Sequence, residues 1–209
     1  MHKLIGIFGG TFDPVHYGHL RTALEIMQAA KLDEVRFIPN RYPPHREPPL
    51  LNDQQRAELV QLAIADMPGF VLDRRELQRE GPSYMVDTLN SLKADEADCA
   101  LCLIMGMDAF AGLTRWHRWQ RLFELAHLIV MTRPGVDLPE CAQQAEIQPR
   151  LTDDVCHLQQ GTEGQILLQS VTQLDISASL IRQQLSMQRS TRFLLPDVVR
   201  EKLEQAYAR

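Results

Sequence analysis

Five short apolar runs constrain this chain more than any other feature: KLIGIF (3–8), VRFIP (35–39), FVLD (70–73), CALCLIMG (99–106) and LIVMT (128–132). Each has the length of a strand and is too uniformly apolar to leave one face in water, as in a parallel sheet covered on both sides. Helically spaced stretches separate them. HLRTALEIMQAAK (19–31) sets Leu20, Leu24 and Met27 on one face, and DQQRAELVQLAIAD (53–66) does the same with Leu59, Leu62 and Ile64. SYMVDTLNSLKA (83–94) and RWQRLFELAH (118–127) add two more helical segments. Alternating strand and helix predict an α/β fold: a Rossmann-like, doubly wound, mostly parallel sheet with helices on both faces. A small C-terminal helical part, about 175–209, completes one domain spanning 1–209: SASLIRQQL with Ser177 as N-cap, then LPDVVREKLEQAYA with Pro196 in its opening turn. The stretch 137–165 has weaker patterning and reads as loop-rich.

A net charge of −5 argues against a nucleic-acid coat or a polybasic membrane anchor. It leaves room for an anionic small-molecule substrate met by a local cluster of Arg and His. No apolar run approaches the roughly 18 residues that span a bilayer. The first residues start a strand and not a basic-then-apolar leader, so no signal peptide is expected and the location is cytoplasmic. Cys99 and Cys102 form a C-x-x-C, but positions three apart on a strand face opposite ways, which suits neither a disulfide nor joint metal ligation.

The chemistry concentrates in FGGTFDPVHYGH (8–19), directly after the first strand. Paired glycines there let the backbone approach a ligand in the crevice beyond the strand ends, where helix N-termini face anions. The fingerprints G-x-G-x-x-G and G-x-x-x-x-G-K-[ST] are both absent, which weakens hydride transfer and Walker-type phosphoryl transfer. His16 and His19 could ligate a metal, act as an acid/base pair, donate to phosphate, or simply cap a helix. A metal would need further ligands, and no H-E-x-x-H is present. PNRYPPHREPP (39–49), with five prolines, cannot continue a helix or a central strand and reads as an exposed, semi-rigid loop.

GGTFDPVHYGH resembles the nucleotidyltransferase signature G-x-F-D-x-x-H-x-G-H, whose H-x-G-H core is related to the HIGH motif of class I aminoacyl-tRNA synthetases. ISASLIR (176–182), with Ala178 and Ser179 in its middle, is similar to the second signature of that superfamily, I-S-[ST]-x-x-[IL]-R. Over essentially its whole length the chain resembles the bacterial nicotinate-nucleotide adenylyltransferases, through IPNRYPPHR (38–46), EGPSYMVDTL (80–89), IMGMDAF (104–110), the Trp-His pair at 116–117, and MTRPG (131–135).

That resemblance implies adenylyl transfer from ATP to nicotinate mononucleotide, with His16, His19 and Arg182 acting on the ATP phosphates. It places Gly9, Gly10, Thr11, Phe12, Gly106 and Ser177 with them around ATP. Asn40, His45, Arg46, Ser83, Tyr84, Met85, Asp108, Trp116, His117 and Arg133 fall to the acceptor. Asn40, His45 and Arg46 would meet its phosphate, and Asp108 its ribose hydroxyls, unless Asp108 is only a helix N-cap. Trp116 would stack on the pyridine ring, unless it is only core. The amides of Met85 and His117 would hold the nicotinate carboxylate, with Met85 standing where the family has Thr. Two amide donors with no carboxylate nearby favour an acid over an amide acceptor. Mg²⁺ is expected to arrive with ATP, held by phosphates and water, with no protein metal site. The 39–49 loop is expected to close over the acceptor. The alternatives are an adenylyltransferase for nicotinamide mononucleotide or phosphopantetheine, or a nucleotide-binding module without turnover. Intact His16, His19 and Arg182 weigh against the module.

Overall fold

The computed structural model describes residues 2–41, 48–133, 135, 137–172 and 174–207. Its strands are β1 (Lys3–Gly10), β2 (Glu34–Pro39), β3 (Phe70–Leu72), β4 (Cys99–Gly106), β5 (His127–Thr132), β6 (Leu151–Thr152) and β7 (Ile166–Ser170). The helices are α1 (Tyr17–Ala29), α2 (Asp53–Ile64), α3 (Arg75–Gln78), α4 (Met85–Asp95), α5 (Met107–Ala111), α6 (Cys156–Gln160), α7 (Ala178–Ser186) and α8 (Asp197–Tyr207). The strands form one sheet in the order β3-β2-β1-β4-β5-β7-β6, and every pairing in it is parallel. Strand order runs outward in both directions from β1 and β4, so the switch point of the doubly wound sheet lies between these two neighbours.

Side chains alternate across the sheet and feed two cores. Leu4 and Phe8 of β1 join the core that holds Ala23 and Ile26 of α1, Leu59, Val60 and Ile64 of α2, Ile181 of α7, and Val199 and Leu203 of α8. Ile5 and Ile7 join the opposite core, with Val86, Leu89 and Leu92 of α4 and Phe110 of α5. Cys99 and Cys102 divide the same way, one in each core, both buried and free, as strand geometry requires. Ser177 caps α7 by accepting from the Leu180 amide at 3.1 Å. Pro196 opens α8, its carbonyl accepting from the amides of Val199 and Arg200.

Several local expectations are corrected. In α1 the fully buried positions are Thr22, Ala23 and Ile26, with Leu20 and Met27 flanking them and Leu24 off the stripe. In α2, Leu59 and Ile64 are buried but Leu62 is exposed, and Arg56 occupies the stripe in its place. The segment 118–127 forms a 3-10 turn, Trp119–Glu124, and not an α-helix. The loop-rich stretch carries two short 3-10 turns, β6 and α6, and is followed by β7, a strand the apolar runs did not reveal. Of the proline-rich loop, residues 42–47 lie outside the described residues, and with them His45, Arg46 and the expected closure over the acceptor.

Candidate active site

β1 and β4 end side by side at the switch point, with Gly9 and Gly10 on one and Gly106 on the other. Between their ends opens a cavity of about 380 Å³. Its wall includes Gly9, Gly10, Thr11, Asn40, Ser83, Tyr84, Met85, Gly106, Trp116 and His117, ten of the predicted site residues, together with the unpredicted Glu76. Asp108 and Arg133 are exposed and are not part of that wall. Asp108 does not cap α5 either, because Gly106 holds that position and Asp108 sits in the first turn.

Met85 is the first residue of α4, an eleven-residue helix that begins at the cavity. The leading amides of a helix have no intrahelical partner, so this end presents N–H donors to an anion. Tyr84 is the N-cap, and its ring stacks on that of His117 with centroids 4.4 Å apart. Trp116 is partly buried on the apolar core and also lines the cavity, so core and site uses coexist. The Met85 side chain packs toward β1, with its methyl 2.8 Å from where a Cβ on Gly9 would stand.

The histidines lie at the start of α1. His16 is its N-cap and is 5% exposed. Burial pushes the His16 pKa down to about 4, so the ring is neutral at neutral pH. Its Nδ1 is enclosed and finds no hydrogen-bond partner among the described residues. The His16 backbone N–H donates to His19 Nδ1 at 3.3 Å, which puts the proton of a neutral His19 ring on Nε2. The two rings stack with centroids 3.7 Å apart. The Phe12 side chain supports the histidines from the core: it is 2% exposed and meets His19 edge-on at 5.1 Å.

The second motif closes on the first. Arg182 Nη1 donates to the Asp13 carbonyl at 2.7 Å and lies 3.6 Å from Asp13 Oδ2. Asp13 in turn accepts from the Leu50 and Leu51 amides at 2.9 and 3.1 Å, where the proline-rich loop ends. The Tyr17 amide donates to Leu194 O at 3.0 Å, tying the start of α1 to the C-terminal segment. A Cβ on Gly18 would stand 2.9 Å from His16 Nδ1 and 3.1 Å from Ile176 O, so only glycine allows this approach. His16, His19, Ser177 and Arg182 therefore gather around one helix N-terminus beside the cavity, without lining it.

Two further polar residues escaped sequence reading. Arg56 is fully buried, donating to the Thr11 carbonyl at 2.7 Å and to Asp53 at 2.7 Å, and so props the glycine loop from beneath. Its signal was present: Arg56, Val60 and Ile64 recur at the spacing of a buried face, where an arginine is out of place. Glu76 is 3% exposed and puts a carboxylate in the cavity wall, where none was expected beside the two amides. Burial raises its pKa, while hydroxyl donors from Thr88 and Ser83 oppose the rise. Among the described residues no group of three or more His, Cys, Asp or Glu side chains converges to hold a metal ion, and no helix is long and apolar enough to cross a membrane.

Residues 7–184 match the family model described as cytidylyltransferase-like. A protein of Halorhodospira halophila is 50% identical over 206 residues, covering 98% of this chain and 94% of that protein. One of Methylococcus capsulatus is 49% identical over 211 residues, covering 99% and 100%. Both are named "Probable nicotinate-nucleotide adenylyltransferase". Among solved structures, the Plasmodium falciparum nicotinic acid mononucleotide adenylyltransferase complexed with NaAD superposes with a TM-score of 0.75 at 17% identity, covering 99% of this chain and 98% of that one. At that identity the likeness concerns the fold.

Proposed function

The chain belongs to the cytidylyltransferase-like family, in its nicotinate-nucleotide adenylyltransferase branch, and we propose that the site at the β1/β4 switch point performs that branch's reaction. The adenylyl group of ATP passes to nicotinate mononucleotide, giving nicotinate adenine dinucleotide and pyrophosphate, a step of NAD biosynthesis. A phosphate oxygen of the acceptor attacks the α-phosphorus, the bond to the bridging oxygen of the β-phosphate breaks, and pyrophosphate leaves. The acceptor brings its own nucleophile, so the protein has reactants to align and charge to stabilise.

The observation that carries this reading is the closure of the ISASLIR segment on the FDPVHYGH loop beside the open-mouthed cavity at the strand ends. His19 supplies an Nε2–H donor, and His16 a neutral ring, to oxygens that gain charge in the transition state. Arg182 suits the β- and γ-phosphates because its planar fork donates bidentately. ATP enters as its magnesium complex, the ion held by phosphates and water. In the cavity the Met85 amide, at the helix start, and the His117 amide hold the nicotinate carboxylate, with Trp116 against the ring. Asn40 lies at the acceptor's phosphate end, and Asp108 and Arg133 act from the rim. Three buried free cysteines fit a reducing cytoplasmic setting.

An acceptor panel with MgATP, scored by pyrophosphate release, tests the proposal. The expected result is a kcat/KM for nicotinate mononucleotide about 100-fold above that for nicotinamide mononucleotide, because the amide's own N–H₂ would face buried N–H donors and the Glu76 carboxylate is already engaged by the hydroxyls of Thr88 and Ser83. Phosphopantetheine should give no turnover. Equal values for the two mononucleotides, or a reversed order, would sink the acid preference; turnover of phosphopantetheine alone would move the chain to a different acceptor.

A further inference from the structure

Glu76 lies in the wall of the acceptor cavity, yet nothing in the chemistry above uses it. Its surroundings define a directed chain of hydrogen bonds. The Arg41 backbone N–H donates to Ser83 Oγ at 3.1 Å, so the Ser83 hydroxyl passes its own hydrogen onward, to Glu76. On the other side Arg79 Nη2 donates to Thr88 Oγ1 at 3.2 Å, and Thr88 Oγ1 donates to Glu76 Oε1 at 2.6 Å. Both hydroxyls reach Glu76 as donors, because a carboxylate offers only acceptors, and each keeps a lone pair for the N–H behind it. A carboxylate accepts both at once; a carboxamide of the same shape accepts through one oxygen and turns an N–H₂ toward the other hydroxyl.

The ends of this chain of bonds give it a use. Arg41 follows Asn40, a cavity residue, where the proline-rich loop leaves β2. Ser83 precedes Tyr84 and Met85, cavity residues at the start of α4. Arg41 Nη1 also donates to the Arg79 carbonyl at 3.2 Å, so the same two segments meet twice. We propose that Glu76 is a positioning residue for the acceptor: through Ser83 it fixes the phosphate-side segment at Asn40–Arg41 against the helix start whose amide receives the pyridine substituent. Glu76 reaches the acceptor through others and takes no part in the bond changes. Asp73 and Arg79 are the other charged groups acting on it. The inference rests on the functional reading above for the identity of the acceptor, but not for the existence of the relay.

Two readouts separate these. In Glu76→Gln, with thermal melting confirming a folded protein, amide hydrogen exchange at Arg41 should accelerate about tenfold as its tie to Ser83 loosens. The KM for nicotinate mononucleotide should rise about tenfold, the cost of one buried hydroxyl left unsatisfied, while kcat and the KM for ATP stay within about twofold. Ser83→Ala should match it, and the double variant should be no worse than either, since both break one relay. Thr88→Val removes the hydroxyl that does not lead to Arg41, so it should lower the melting temperature yet spare the acceptor KM. Unchanged exchange at Arg41, an equal rise in the ATP KM, additive effects of Glu76→Gln and Ser83→Ala, or a Thr88→Val phenotype like that of Glu76→Gln would each overturn the proposal. Wild-type protein inactive on nicotinate mononucleotide would instead sink the functional reading, and the exchange measurement would still decide the relay.

Discussion

The proposed phosphate clamp and the proposed acceptor cavity lie side by side but are built in different ways. The clamp joins distant segments through a few directed bonds, Arg182 to Asp13 across 169 residues and Tyr17 to Leu194, while His16 bonds to His19 within the first segment. Its arginine stays partly exposed, with 29% of the side chain open. The cavity is cut into the body of the fold, and its wall includes Leu103, Ile104 and Met105 of β4, which are also core. Arg182 can therefore be lost with little effect on folding, whereas most cavity positions carry packing and recognition together.

The largest effect should fall on the clamp. His19→Ala should lower kcat by about 10³-fold, the scale of losing a donor to charge that develops in the transition state. The acceptor Kd, measured by calorimetry, should stay within about twofold. A variant that keeps kcat and loses acceptor affinity would erase the division between the two regions.

The regions also respond in opposite directions to the same cause. Burial penalises the charged form in each, so the pKa of His16 falls to about 4 while that of Glu76 rises. For His16 the unfolded chain binds a proton near pH 6.5 and the folded chain only near 4. The folded state therefore loses stability as pH falls through that window, by a total of about 3 kcal/mol, and is unaffected by this group above it. Urea denaturation between pH 7.5 and 4 should show this loss, and His16→Asn should remove most of it. A smaller slope of the same sign should remain from His127, which burial also holds below its ordinary value. An unchanged slope in His16→Asn would mean that the buried ring does not govern the clamp's acid response.

The same contrast explains what the sequence disclosed. The clamp was legible because its groups lie in short, ordered motifs at a strand end and two helix starts, where local geometry presets them: Ser177 is the cap it was expected to be. The sheet was legible because buried parallel strands are continuous apolar runs; β7 (Ile166–Ser170) escaped because its apolar part is only Ile166–Leu168, followed by Gln169 and Ser170. The cavity was legible only through family likeness, since Asn40, Ser83 and Trp116 carry no signal until the sheet brings them together. Glu76 had no sequence signal at all, because its partners Ser83 and Thr88 come from α4 and its approach, and its surroundings are tertiary. Phe12 shows the converse: a residue inside a binding motif can also serve it from within the core.

Two glycines offer the finest test of the contrast. An alanine at Gly18 would place its Cβ 2.9 Å from His16 Nδ1, 3.0 Å from His16 Cε1 and 3.1 Å from the Ile176 carbonyl. The carbonyl belongs to the backbone that delivers Ser177, so it cannot yield without moving the second motif. Helix propensity alone would favour alanine over glycine there by about 1 kcal/mol, which makes any loss of function diagnostic of the clamp. Gly18→Ala should raise the ATP KM about tenfold and leave the acceptor Kd alone. At Gly9 the only close neighbour of an added Cβ among the described residues is the Met85 methyl at 2.8 Å, the end of a flexible thioether that can swing aside. Gly9→Ala should therefore cost about threefold in acceptor KM, as the displaced methyl takes up room in the cavity. Met85→Ala placed alongside it should return the acceptor KM toward that of Met85→Ala alone. If Gly9→Ala proves the more damaging of the two, the cavity and not the clamp is the stiffer half of the site, and the division drawn above is reversed.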